Sequence, residues 1–421
     1  MRKQVIYPVF LFASASIFFL SCQKEINRKQ STREEVTTTA NNGIQNEAKK
    51  VYVSNISQLY TAINDPDNIG ATIILAPGTY LLSPNYPKGG LLELQYNMSL
   101  VGQPGHPELV IIDATGLPDA SFTLLPSPGN PFTLRKGVVR IGNGRNAVEW
   151  MTLQNDPGHS IRSLIQTDIV ATTTTQVRIA HTIIKGSSIG VDILNWRTES
   201  SGRIVEAELE NNEITSNILT PSGTGIEIRN SHAVNGASVK VKLKGNYLHG
   251  NRVGLAFVNS RCTQNNITAE SIEDRIENNG LGIAFIGGNS SATMPGANNS
   301  ILFEAYGTAI WNNSGILPPL EFGSPGGVFA AAGIISAVVP PGTTNNNKLG
   351  ISFYGCSIKN NIGDFQITAY GAQSLFPSLT PAGSNNTTSI YLHGVSKQAT
   401  VNAINSFPNE PAGTNSVNIF R

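Results

Sequence analysis

The chain of 421 residues carries 29 Lys+Arg against 28 Asp+Glu, and only 14% of it is charged. Residues 1–50 hold eight of the basic and four of the acidic residues, so the remainder has 21 against 24 and a formal charge of −3, which excludes a basic nucleic-acid surface. Three cysteines are too few for a disulfide-built scaffold.

Arg2 and Lys3 lead into an apolar run over residues 5–20, followed by Ser21 and Cys22. The run is short for a membrane span and has the layout of a secretory signal. Phe19-Leu20-Ser21-Cys22 resembles a bacterial lipobox, although Phe19 stands where a smaller aliphatic residue is usual. That resemblance implies that Cys22 is lipidated. The protein would then be exported and held to the outer membrane, on its periplasmic or its outer side, by the lipid alone. Residues 23–50 are polar and aperiodic, as expected of a flexible tether.

Residues 51–421 are expected to form one domain. Asn55 precedes Ile56, Leu59, Tyr60 and Ile63 at helical spacing, and Asp65-Pro66 ends the pattern. One amphipathic helix ahead of many strands would cover the open end of a core. Strand-like runs follow at 71–80, 91–95, 98–102 and 109–114, and a segment with four prolines, 116–137, reads as an inserted loop.

Over residues 175–371 one unit recurs six times: a strand ending in Ile or Leu, an Asn-rich turn, then a glycine opening a second strand. The glycines are Gly190, Gly225, Gly254, Gly282, Gly327 and Gly363. Such a period marks a solenoid. Counting back from Ile184, Ile214, Leu248, Ile276, Ile310 and Ile358, alternate positions are apolar and face a common core. Between them, Glu206, Glu208 and Glu210 of one unit would meet Lys240, Lys242 and Lys244 of the next, a charge-paired, solvated sheet. Three places further on stand Ser187, Asn217, Asn251, Asn279, Asn313 and Asn361, suited to a repeated turn. Cys262 and Cys356 lie more than two units apart, so buried thiols are expected rather than a disulfide.

The runs IILAPGTYLL and LLELQYNMSLVGQPGHPELVIIDA, together with the repeats, resemble the right-handed parallel β-helix superfamily that includes pectate lyases and pectin esterases. The resemblance covers nearly all of residues 51–421. It implies an all-β, right-handed, single-stranded parallel β-helix with an N-terminal capping helix, a polysaccharide as partner, and a monomer.

In the glycine strands, Asp192, Glu227 and Arg229 fall on the outward face of adjoining coils, near Trp196, Arg197, His232 and Arg261. Backbones about 4.8 Å apart would bring the two carboxylates together, so they call for a cation, a shared proton or Arg229 between them. A surface salt-bridge cluster would satisfy that pattern, and three functional readings also would. In a polyuronate lyase, Asp192 and Glu227 would hold Ca²⁺ and Arg229 would be the base, with Arg197, His232 and Arg261 binding acidic sugar. In a glycoside hydrolase the carboxylates would be acid and nucleophile. In a non-catalytic carbohydrate-binding or adhesive protein, Trp196 and the polar ladder would grip a glycan. Gly158-His159-Ser160 lacks the paired aspartates of polygalacturonases, and Gly363-Asp364-Phe365 lacks the remaining constellation of pectin methylesterases. Loops over 287–300, 332–348 and 372–388 could wall a groove beside this face.

Overall fold

The computed structural model describes residues 48–118, 137–155, 163–167, 174–196, 198–215, 223–232, 234–290, 294–314, 326–335, 344–362, 366–374, 383–396, 399–407 and 415–421. Cys22, Arg197, residues 158–160 and residues 363–365 lie outside them. The compact unit is Ala48–Arg421. None of its described helices is long and apolar enough to cross a membrane.

Described strands form three parallel sheets of 12, 9 and 10 members. Each coil visits them in turn: Thr175–Ala180 in the first, Ile183–Lys185 in the second and Ile189–Trp196 in the third. The next coil repeats this with Ile204–Glu210, Glu213–Thr215 and Thr224–Ser231. The fold is the right-handed parallel β-helix, the hand that parallel crossovers adopt.

The expected register is the observed one. Glu206, Glu208 and Glu210 pair with Lys240, Lys242 and Lys244. Lys240 Nζ lies 3.3 Å from Glu206 and Lys244 Nζ 3.1 Å from Glu210. Arg178 gathers Glu149, Glu208 and Glu210 at 2.7, 3.1 and 2.8 Å. This exposed face is a ladder of mutually satisfied ions, each worth little to stability.

Inside, Phe257, Phe285, Phe303 and Phe353 follow one another with ring centroids 5.1–6.1 Å apart. The turns are held by amides. Asn251, Asn279 and Asn313 each donate Nδ2 to the next coil's Asn Oδ1, at 3.1, 3.1 and 2.8 Å, and to the carbonyls of Ile214, Leu248 and Ile276. Such buried amides satisfy turn backbone that would otherwise be orphaned.

The glycine column has a steric cause. A Cβ at Gly225, Gly254 or Gly282 would sit 2.6–2.8 Å from the next coil's backbone oxygen. In the sixth unit the column departs from the expectation. Val328 pairs with Ile367, so Gln366 rather than Gly363 follows Gly327 in register. Helix α1 (Ile56–Asn64) is capped by Asn55 and buries Leu59 and Ile63 in the core at the N-terminal end. Cys262 and Cys356 are buried free thiols.

Candidate functional site

Asp192, Glu227 and Arg229 meet as the register requires. Asp192 pairs with Glu227 and Leu194 with Arg229. The surroundings differ from those of an open sheet face. Asp192 is fully buried and its carboxylate takes Arg229 in fork geometry, Nε to Oδ1 at 3.1 Å and Nη2 to Oδ2 at 2.7 Å. Gln166 Nε2 donates to the same Oδ2 at 3.2 Å, and Glu227 stands 3.8 Å from Arg229 Nη1. Burial works to strip the Arg229 proton, but the charges of Asp192 and Glu227 prevail and raise its pKa above the ordinary arginine value. A guanidinium held in that way is a structural cation and a poor base.

The outer face of this sheet is buried well beyond the trio. One row along it reads Glu93, Arg140, Gln166, Asp192, Glu227, then Ala256, Ala284 and Phe329. Glu93 and Arg140 form an ion pair of their own. In later coils Ala256, Leu281, Ala284, Phe329 and Tyr370 make a second apolar cluster on the same face.

These residues do not fit Ca²⁺. That ion needs six to eight oxygens. Here the positive charge between the carboxylates is already Arg229, and among the described residues no group of three or more His, Cys, Asp or Glu is arranged to hold a metal.

Trp196 is buried and donates Nε1 to His232 Nδ1 at 2.6 Å, its ring tilted 59° to the imidazole. It orients His232 rather than offering a face to a ligand. On the far side of that ring, Arg261 Nη1 approaches His232 Nε2 at 3.3 Å. Arg261 then opens onto a cavity of about 460 Å³ at the corner between the third and first sheets. Thr198, Ser201, Asn235, Cys262, Thr263, Met294 and Pro295 line it with Arg261. Burial lowers the Arg261 pKa and raises that of the Cys262 thiol to about 12. The strands feeding the later corners run to Ser290, Ile335 and Ser374, further than expected, and most of the loops beyond them lie outside the described residues.

The residues on either side of the apolar column in the second sheet escaped the sequence reading. They form a partly solvated face. His249 Nε2 contacts Glu213 Oε1 at 3.1 Å, and Thr215 Oγ1 lies 3.3 Å from His249 Nδ1. Tyr247 stacks on His249 at 4.1 Å and donates its hydroxyl to Glu277 at 2.9 Å, with Arg275 over its ring. Lys359 covers Trp311. The signal was present: from Glu213 to Lys359, polar or aromatic residues stand on both sides of Ile214, Leu248, Ile276 and Ile358, and Trp311 follows Ile310.

Architecture and site together define a parallel β-helix with one face closed over an ion cluster and a polar cavity at its corner. No family model and no curated protein sequence matches the chain. Among solved structures it is similar to a polygalacturonase from Erwinia carotovora ssp. carotovora, at 12% identity over 91% of this chain and 100% of that one, with a TM-score of 0.40. A GH87 α-1,3-glucanase catalytic unit from Streptomyces thermodiastaticus shares 14% identity over 90% of this chain and 68% of that one, with a TM-score of 0.37. The A-module of a mannuronan C-5 epimerase from Azotobacter vinelandii shares 13% over 88% and 100%, with a TM-score of 0.36. What the chain does is decided by its own side chains.

Proposed function

We propose that this is an exported, envelope-anchored β-helix protein that binds polysaccharide without cleaving it at the Asp192 cluster. The observation that carries the reading is the corner cavity. It has the volume of a small-ligand site and a lining of hydroxyls, one amide and one guanidinium, the groups that hydrogen-bond sugars. The closed trio supports the same conclusion, since Arg229 is committed to a buried carboxylate. Affinity electrophoresis against a panel of acidic and neutral polysaccharides, run beside a continuous ultraviolet assay for unsaturated product, tests it. Retardation without product is expected. Product formation that is lost in Arg229→Lys would overturn it in favour of a lyase.

A second reading is favoured by the second sheet. Thr215, His249 and Glu213 form a hydroxyl, imidazole and carboxylate chain, with Glu213 orienting the ring and Nδ1 facing the hydroxyl, an order that general-base activation of a nucleophile requires. Ester hydrolysis abolished by both His249→Asn and Thr215→Val would establish it. Equal background rates in all three proteins would remove it.

A further inference from the structure

We propose that Tyr306 and Tyr354, stacked on the outer face of the first sheet, are an oxidative modification site, at which hydrogen peroxide acting through a haem peroxidase joins their rings as dityrosine and Glu304 takes a phenol proton. The inference is independent of the glycan reading.

Register brings the rings together. Ser300–Tyr306 and Lys348–Tyr354 are neighbouring strands of the first sheet, and Tyr306 pairs directly with Tyr354. Alternation turns both side chains outward, so the two rings stand one above the other at the spacing of parallel strands. Their centroids are 4.9 Å apart and their planes 8° from parallel. His393 of the next coil stacks on Tyr354 at 4.8 Å and 5°, which holds that ring in the column. Both tyrosines are half-buried, so an oxidant reaches them while the stack keeps them facing each other.

Proton chemistry separates this pair from the other stacked tyrosines. A phenol gives up an electron readily when its proton leaves at the same time, so a base within hydrogen-bond reach decides which ring reacts. The Tyr306 hydroxyl donates to Glu304 Oε2 at 3.0 Å. That hydrogen bond raises the Tyr306 pKa, so the phenol keeps its proton at neutral pH and has an acceptor for it when the electron departs. Tyr60 and Tyr86 stack more closely, at 4.0 Å and 14°. Tyr60 is buried, however, and donates to the Gly90 carbonyl, a far weaker base than a carboxylate, while burial pushes its pKa up to about 12.

Each ring loses one electron and its hydroxyl proton, Tyr306 to Glu304 and Tyr354 to water. The two phenoxyl radicals form a C–C bond between ring carbons ortho to oxygen, and the hydrogens displaced from those carbons return to the oxygens. Peroxide takes up the two electrons and two protons, its O–O bond breaks, and two waters leave. The product closes the chain from Tyr306 to Tyr354 into a covalent loop, a staple that the buried, free Cys262 and Cys356 do not supply.

Treatment of the dilute full chain with hydrogen peroxide and a haem peroxidase tests the proposal. Dityrosine fluorescence in monomeric protein is expected, with peptide mapping joining the Tyr306 and Tyr354 peptides at a mass two hydrogens below their sum. Tyr306→Phe and Tyr354→Phe should each abolish it, and Tyr86→Phe should leave it intact. Glu304→Gln should slow its formation severalfold, and an unchanged rate would strike Glu304 from the proposal. Melting temperatures of the unreacted variants matching the parent would exclude unfolding as the cause, and the cross-linked protein should melt several degrees higher. Dityrosine that is absent, confined to intermolecular dimers, mapped to Tyr60 and Tyr86, or undiminished in both phenylalanine variants would overturn the proposal.

Discussion

Replacing Asp274 with asparagine should stabilise this protein at neutral pH. Asp274 occupies a rung of the amide ladder between the first and second sheets. Asn212 Nδ2 donates to Asn246 Oδ1 at 2.9 Å, and Asn246 Nδ2 donates to Asp274 Oδ1 at 2.9 Å. Each asparagine also donates to a backbone carbonyl, Asn212 to Ile179 and Asn246 to Leu209. Asp274 accepts from Asn246 and from Ser271 but, unlike the asparagines of the ladder, has no proton to donate when ionised. Burial raises its pKa from 3.8 to about 6, against the opposing hydrogen bonds of Ser271 and Asn246.

A carboxyl group whose folded pKa lies above its unfolded one gives stability that is fully present below the unfolded value. That stability is lost as pH rises through the folded value. At about 1.36 kcal/mol per pKa unit, the ionised group costs about 3 kcal/mol at neutral pH. Asp274→Asn removes that cost, its Oδ1 still accepting from Asn246 and its Nδ2 standing opposite the Ser271 hydroxyl. For a domain of this size it should raise the melting temperature by about 4 °C at pH 8. The gain should shrink as pH falls through 6 and vanish near 4. Calorimetric melts of both proteins from pH 4 to 8 measure it. A pH-independent difference, or a loss of stability at pH 8, would refute the electrostatic argument.

Arg229→Ala should destabilise by about 3–5 kcal/mol in denaturant unfolding, because it strands a buried carboxylate at Asp192. The double variant with Asp192→Asn should recover much of the loss. Asn313→Ala breaks hydrogen bonds to Asn361 and to the Ile276 carbonyl and opens the bonds arriving from Asn279, so a cost of about 2–3 kcal/mol is expected in the same assay. Cys262 should resist alkylation at pH 8 in the native protein and react on unfolding, as peptide mapping by mass spectrometry would report, since burial holds its thiol pKa at about 12.

The architecture was legible because burial in a solenoid is periodic. Alternation marked the inward residues, and the reversal from Glu206, Glu208 and Glu210 to Lys240, Lys242 and Lys244 fixed the register of a pair of coils. The capping helix followed from Asn55 and four apolar residues. Burial of the candidate trio was not read, because an outward position in a strand says nothing about what lies over it. Leu194, Ala256, Ala284 and Phe329, apolar residues on that same outward face, were the sign that it is not solvated. The sixth glycine was misplaced for a related reason: spacing alone gave Gly363, whereas strand pairing puts Gln366 in the column. The rung at Asp274 and the second-sheet face are not marked by apolar alternation, since Asp274 stands in a turn and the polar residues of the second sheet lie outside its buried column.

Hydrogen-exchange mass spectrometry of the full chain with and without a saturating concentration of a polysaccharide that retards it in affinity electrophoresis tests most directly where the glycan binds. The account predicts protection confined to the corner, in peptides covering residues 198–202, 232–236 and 261–264, and none over the second sheet. Protection along the second sheet around His249 and Trp311 with an unchanged corner would contradict it.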